Sequence, residues 1–229
     1  MQETRHQYRE ALKELEQQTL GGLDLVIQAL DRALEAVAYG DAELAGMVVA
    51  DDDRIDGRYL EVHQGVLSML ARQAPVAGDL RIVAALLHVI RCVERMGDQC
   101  VNIAKLVPLS GHESPKDKDI LDSIERMGRN VRAQVAEAKD AFASRAIDLA
   151  QEVVRQDGEV NRLNRMIFRR AVEIGDDAEQ REWAMYMILV ARALERIGDN
   201  TVDISEQVAF VVTGLFREIS DTAPAVNQA

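Results

Sequence analysis

The sequence predicts an all-α protein made of two tandem three-helix bundles, six long antiparallel helices related by an internal repeat. Three observations predict it. Proline occupies only four of 229 positions, good helix formers such as Ala, Leu, Glu, Arg and Gln dominate, and strand-type alternation is hard to find. Apolar residues recur at three and four along every long segment. The third observation is a decapeptide spelled twice, Glu94-Arg95-Met96-Gly97-Asp98-Gln99-Cys100-Val101-Asn102-Ile103 and Glu195-Arg196-Ile197-Gly198-Asp199-Asn200-Thr201-Val202-Asp203-Ile204. Glu, Arg, Gly, Asp, Val and Ile recur in register at an offset of 101 residues, so any site built on this string comes in two copies.

The elements follow in order. Leu12, Leu15, Leu23, Val26, Leu30, Leu34 and Val37 trace one stripe and predict a first helix from Gln2 to about Tyr39, with Gly21-Gly22 as its weak point. Gly40 stops it, and Asp41 caps a second helix over about 42–72 that carries Leu44, Val48, Ile55, Val62, Val66, Met69 and Leu70. Ala74-Pro75-Val76-Ala77-Gly78-Asp79 breaks the chain, and Asp79 is placed to cap a third helix to about Val107. Pro108 to Pro115 has the composition of a boundary, dividing a first repeat (1–108) from a second (116–217), with 109–115 as linker. The second repeat predicts helices over about 116–142, from a Ser144 cap to about 174, and from the Gly175-Asp176-Asp177 turn to about Phe216. Residues 218–229 read as a frayed tail. Short connections make sequence neighbours antiparallel.

Composition excludes several classes. Asp and Glu outnumber Lys and Arg by 39 to 27, a formal charge of −12, which is wrong for a duplex nucleic-acid partner whose phosphates demand a basic surface. The densely charged Met1 to Glu16 segment lacks the apolar run of a secretory signal, and the longest apolar stretches, near 82–90 and 208–216, fall short of a membrane span. The only cysteines, Cys92 and Cys100, sit about 12 Å apart along one helix, too far for a disulfide. A reducing, cytoplasmic setting is expected. No Gly-rich phosphate loop or nucleophile motif is present.

On a helical wheel of the third helix, Val83, Ile90, Gly97, Val101 and Ala104 form the apolar stripe, with Glu94, Asp98 and Asn102 climbing from its edge toward solvent. Glu195, Asp199 and Asp203 repeat the row on the sixth helix. Gly97 and Gly198, inside helices where glycine costs about 1 kcal/mol, predict close backbone approach. A second pair of polar residues spaced by four occurs in each repeat, Asp52 with Asp56 and Asp157 with Asn161. Counting outward from the hairpin turns sets each pair level with its motif to within about one helical turn. Each half therefore gathers four or five oxygen ligands, a set suited to a hard divalent cation or iron rather than a structural zinc. The plainer expectation is a solvated acidic face paired with Arg91, Arg95, Arg192 and Arg196, on a metal-free scaffold. His88 reads as a half-buried core or interface histidine. The only Glu-x-x-His, Glu3 to His6, has no second copy, which disfavours a di-iron carboxylate enzyme.

The repeated E-R-x-G-D-x-x-V-[ND]-I string, together with Gln73-Ala74-Pro75-Val76-Ala77-Gly78-Asp79-Leu80-Arg81 at the turn between the second and third helices, closely resembles the PhoU family of phosphate-transport regulators, over about Tyr8 to Phe216. The resemblance implies tandem three-helix bundles, a cytoplasmic location and no enzymatic activity. It implies two partners, the ATPase subunit of a phosphate ABC transporter and a sensor histidine kinase, with the membrane reached only through them; a homodimer is compatible with it. Metal on the acidic faces is also implied, carried to Glu94, Asp98, Glu195 and Asp199, with Asn102 and Asp203 at the following position. Asn102 opposite Asp203, and Asn161 opposite Asp56, make the two sets unequal in charge.

Overall fold

Seven α-helices and one 3-10 turn make up the described residues, which are 2–73, 75–111 and 116–215 of a computed structural model, with side chains from residue 6 onward. The helices are α1 (Gln2–Tyr39), α2 (Ala42–Ala50), α3 (Asp53–Arg72), α4 (Gly78–Leu106), α5 (Lys118–Ser144), α6 (Ile147–Val172) and α7 (Ala178–Thr213), with the 3-10 turn at Pro108–Ser110. Ala74, residues 112–115 of the expected linker with His112, Phe216, and the tail 218–229 lie outside the described residues.

The expected second helix is two. At Asp51 and Asp52 the ladder tightens, the N–H groups of Arg54 and Ile55 donating three residues back to the Asp51 and Asp52 carbonyls at 3.1 and 2.8 Å. Asp51, Asp52 and Asp53 are poor helix-interior residues, and Arg32 of α1 holds Asp51 at 2.5 Å. The bend places Asp53 and Asp56 in the first turn of α3, where the helix dipole favours carboxylates.

Asp41, Asp117 and Asp177 cap α2, α5 and α7 by accepting from backbone N–H groups. Two expected caps are corrected. Asp79 lies within the first turn of α4 behind Ala77, which makes no side-chain cap bond, and Ser144 ends α5, its hydroxyl donating to the Asp140 carbonyl at 2.6 Å. Gly214, with φ of 76°, turns the chain out of α7, a left-handed conformation glycine takes without a steric penalty.

Nor is Gly21-Gly22 a break. A Cβ on Gly22 would stand 3.0 Å from Val93 Cγ1, so the missing side chain lets α1 lie close against α4. One continuous apolar cluster runs from Tyr8 to Val211 and includes every helix, so the two repeats share a core. They meet through two antiparallel pairs. Arg81, near the start of α4, donates to the Val211 carbonyl near the end of α7 at 3.2 Å. Across α1 and α5, Glu16 pairs with Arg145 at 2.7 Å, Asp24 with Lys139 at 2.6 Å and Asp31 with Arg132 at 2.7 Å. No described helix is long and apolar enough to cross a membrane.

The repeats superpose by sequence in two steps. Tyr39 and Ser144 close equivalent helices, and Ala42 and Ile147 open the next pair, at an offset of 105 residues, whereas Gly97 and Gly198 keep the offset of 101. The residues of α1 to α3 therefore match those of α5 and α6 at 105, and α4 matches α7 at 101. Asp52 is the counterpart of Asp157, and Ala29 that of Gln134.

Candidate functional site

Both motif glycines are cradles for an acid from the neighbouring hairpin arm. A Cβ on Gly97 would meet Ile55 Cγ2 at 3.0 Å and Asp52 Oδ1 at 3.3 Å; one on Gly198 would meet Asp157 Oδ1 at 2.9 Å, Gln134 Oε1 at 3.4 Å and Val160 Cγ1 at 3.6 Å. The levels counted from the turns therefore hold in both repeats, and the glycines have the packing role expected of them. Val83, Ile90, Gly97, Val101 and Ala104 are all buried.

In the first repeat the acids feel one another's charge, although no three of them bring ligand atoms within 4.8 Å of one another. Glu94 is half-buried, Asp98 and Asn102 are exposed on α4, Asp52 is half-buried at the bend, and Asp56 is exposed on α3. Burial, and then the charges of Asp56, Asp98 and Asp53, push the Asp52 carboxyl up to about 6, against a weak opposing pull from Lys105. Glu94 is also raised, by burial first and by Asp98 and Asp56 after it, with Arg91 and Arg95 partly offsetting. Elevation of this kind marks buried carboxylates with too little positive charge nearby. A cavity of about 20 Å³ adjoins Asp52, lined also by Arg32, Asp51, Gly97, Cys100 and Val101, room for roughly one water-sized occupant.

In the second repeat the corresponding groups are largely spoken for. Arg192 clasps half-buried Glu195, and Asn161 Nδ2 donates to Asp157 Oδ2 at 2.6 Å. Asp199 is exposed on α7; burial of its carboxyl raises its pKa, Arg192 and Arg196 oppose the rise, and Asp203 adds to it. Gln134 is fully buried, and neither its amide nitrogen nor its oxygen has a hydrogen-bond partner. Nothing in its sequence context marks Gln134; only its equivalence to Ala29 does.

Asp203 faces across the repeat boundary. Its carboxylate, the imidazole of His88 and the thiol of Cys92 present ligand atoms that all lie within 4.8 Å of one another, the one group of three His, Cys, Asp or Glu side chains meeting that condition among the described residues. His88 is exposed rather than half-buried. The signal was present as His and Cys spaced by four on α4, yet their third member lies 111 residues on, beyond the reach of local spacing.

The PhoU domain family matches residues 22–107 and again 124–208. A phosphate-specific transport system accessory protein PhoU homolog of Clostridium acetobutylicum is 30% identical over 220 residues, 95% of this chain and 100% of the relative. The protein of the same description from Zymomonas mobilis is 33% identical over 201 residues, 85% of this chain and 81% of the relative. Among solved structures, PhoU from Pseudomonas aeruginosa superposes with a TM-score of 0.85 at 28% identity, covering 91% of this chain and all of that one. The phosphate transport system regulatory protein PhoU from Streptococcus pneumoniae gives 0.85 at 25% identity, over 92% and 99%.

Proposed function

The chain belongs to the PhoU family, and from that premise we propose that it regulates phosphate uptake and phosphate-starvation signalling as a non-enzymatic adaptor. A role in regulating phosphate transport rests on relatives that span nearly the whole chain and are named as accessory proteins of the phosphate-specific transport system. The finer reading places the protein in the cytoplasm, between the ATPase subunit of a phosphate ABC transporter and a sensor histidine kinase, with the membrane reached only through these partners.

The observation that carries the reading is the duplicated acid row beside a glycine cradle, on a sequence with no nucleophile motif and no Gly-rich phosphate loop. In the first repeat the residues suit a divalent metal or iron: Asp52, Asp56, Glu94 and Asp98 are oxygen donors, the carboxyls of Asp52 and Glu94 are raised by burial and then by the charges of Asp56 and Asp98, and a cation would supply the positive charge that lets them all stay ionised. In the second, Asp157, Glu195, Asp199 and the orphaned buried amide of Gln134 are the matching donors. Occupancy would change the net charge of each face, and with it the docking of a charged partner surface. Binding of the purified protein to both partners under phosphate-replete conditions is the test; a pulldown that recovers neither sinks the adaptor reading.

One observation favours a second reading, a metal-independent helical scaffold. The second face already neutralises itself through Arg192–Glu195 and Asn161–Asp157. The two readings separate on melting of chelator-treated protein titrated with Mn²⁺, Fe²⁺ or Mg²⁺. A ligand bound only by the folded state raises the midpoint, by about 2.7 kcal/mol of stability at a hundredfold excess over Kd. The metal reading expects that rise, and expects Asp98→Ala with Asp199→Ala to abolish it at unchanged helix content.

A further inference from the structure

We propose a second kind of metal site, distinct from the acidic faces, in which His88 and Cys92 of α4 and Asp203 of α7 hold a zinc-class cation across the boundary between the repeats. It does not depend on the regulatory reading. The site stands on geometry: His88 and Cys92 are one helical turn apart and share a face, antiparallel packing of α4 on α7 brings Asp203 opposite them, and the three ligand atoms lie within 4.8 Å of one another.

The donor set selects the metal. One imidazole nitrogen, one thiolate and one carboxylate oxygen suit Zn²⁺ or Co²⁺ rather than Mg²⁺ or Ca²⁺, and three protein ligands leave a fourth position for water. Ligand distances of about 2.0–2.3 Å around one ion require the donors to draw in by about 1 Å from their present separation. The exposed His88 and half-buried Asp203 are free to do so, while Cys92 is 1% exposed and remains the fixed floor of the site.

Without a metal Cys92 is a thiol. Burial, and then the Asp203 charge, push it up to about 12. Binding replaces the S–H bond by an S–Zn bond and releases that proton to solvent, leaving the +1 charge of a Zn–thiolate unit facing the Asp203 carboxylate. The buried charge is then matched, which the apo protein could achieve only by protonation.

The pseudo-equivalent position shows that such a triad is not a by-product of the fold. At the offset of 101, His88, Cys92 and Asp203 correspond to Leu189, Ala193 and Asn102. Exposure matches at two of the three positions, Leu189 being 51% and Ala193 4% exposed, while Asn102 is exposed where Asp203 is half-buried. Chemistry does not match. The equivalent positions thus carry an imidazole, a thiol and a carboxylate in one place and only the Asn102 amide in the other.

The test uses the full chain, freed of metal by chelation, and Co²⁺ as an optical probe. One equivalent of Co²⁺ should produce a thiolate-to-cobalt charge-transfer band that Zn²⁺ displaces. Cys92→Ala, which copies Ala193, should remove the band. Cys100→Ala should leave it, as should Asp98→Ala with Asp199→Ala, which separates this site from the acidic faces. His88→Leu, at an exposed position whose counterpart in the second repeat is Leu189, should weaken Zn²⁺ binding by at least tenfold. Zn²⁺ at a hundredfold excess over Kd should raise the wild-type melting midpoint by roughly 5–10 °C. Absence of a thiolate band, or a band that survives Cys92→Ala, would falsify the site.

Discussion

The first and second repeats carry the same acid row on the same cradle, yet they are in different electrostatic states. In the first, burial and the charges of Asp56 and Asp98 raise the carboxyls of Asp52 and Glu94, and Glu94 has no ion pair among the described residues. In the second, Arg192 and Asn161 have taken up two of the acceptors, and a buried glutamine fills the space over Gly198 that Ala29 leaves open beside Gly97. Backbone geometry was duplicated; charge compensation was not. The difference teaches that a repeated motif fixes where side chains stand, while the residues around it decide whether the site needs a counter-ion.

Overfilling the cradles tests the shared half of this comparison and carries the largest expected effect. Gly97→Leu and Gly198→Leu should each cost about 3 kcal/mol, roughly 6–12 °C in a thermal melt, since even a Cβ would stand at 3.0 Å from Ile55 or 2.9 Å from Asp157. Equal losses keep the cradles equivalent; a neutral result at either one breaks the equivalence. Next, the missing triad can be supplied. Leu189→His, Ala193→Cys and Asn102→Asp together should raise the number of Co²⁺ ions bound through thiolate from one to two, with a further gain of about 5 °C in Zn²⁺. A chain that still binds one would mean that the two pockets differ in more than residue identity.

Gln134 separates the repeats at a finer level. Gln134→Met removes two buried, unpartnered polar atoms and should stabilise the metal-free protein by about 1–2 kcal/mol, whereas Ala29→Gln in the first repeat should destabilise it by about as much. Chemical denaturation midpoints at constant m-value read both. The smallest effect is the most diagnostic of charge. In the fold Asp52 holds its proton up to about pH 6, against an ordinary value of 3.8. The folded state binds the extra proton between those values, so this contribution to stability is full below about pH 3.8 and is lost as pH rises through about 6. Asp52→Asn should then gain about 1 kcal/mol at pH 7.5, after allowance for solvent screening, and nothing near pH 4. A gain that does not change with pH would remove the electrostatic cause.

Local pattern carried the sequence a long way. Helix identity and most boundaries followed from apolar spacing and from Asp41, Gly40 and the Gly175-Asp177 turn, because a 3.6-residue period and a cap are properties of a few consecutive residues. The internal repeat and the level of the Asp52 and Asp157 pairs followed from counting, because helices rise by a constant step, whereas the close approach expected at Gly97 and Gly198 is made by side chains, the Asp52 and Asp157 carboxylates among them. What failed was also local in origin: three consecutive aspartates bent α2 from α3, yet acids at a helix start and acids in a helix interior look alike until Arg32 is seen to hold Asp51.

Only the tertiary structure decided which distant side chains converge. The sequence alone determined a row of three oxygen-bearing side chains on each motif helix; it could not determine that Asp203 leaves that row to face His88 and Cys92, or that Gln134 comes to rest over Gly198. Those outcomes depend on the axial register and rotation of helices about 100 residues apart. These are set by the whole core rather than by any stretch of chain, since a shift of one residue turns a side chain by 100° and moves it 1.5 Å along its axis.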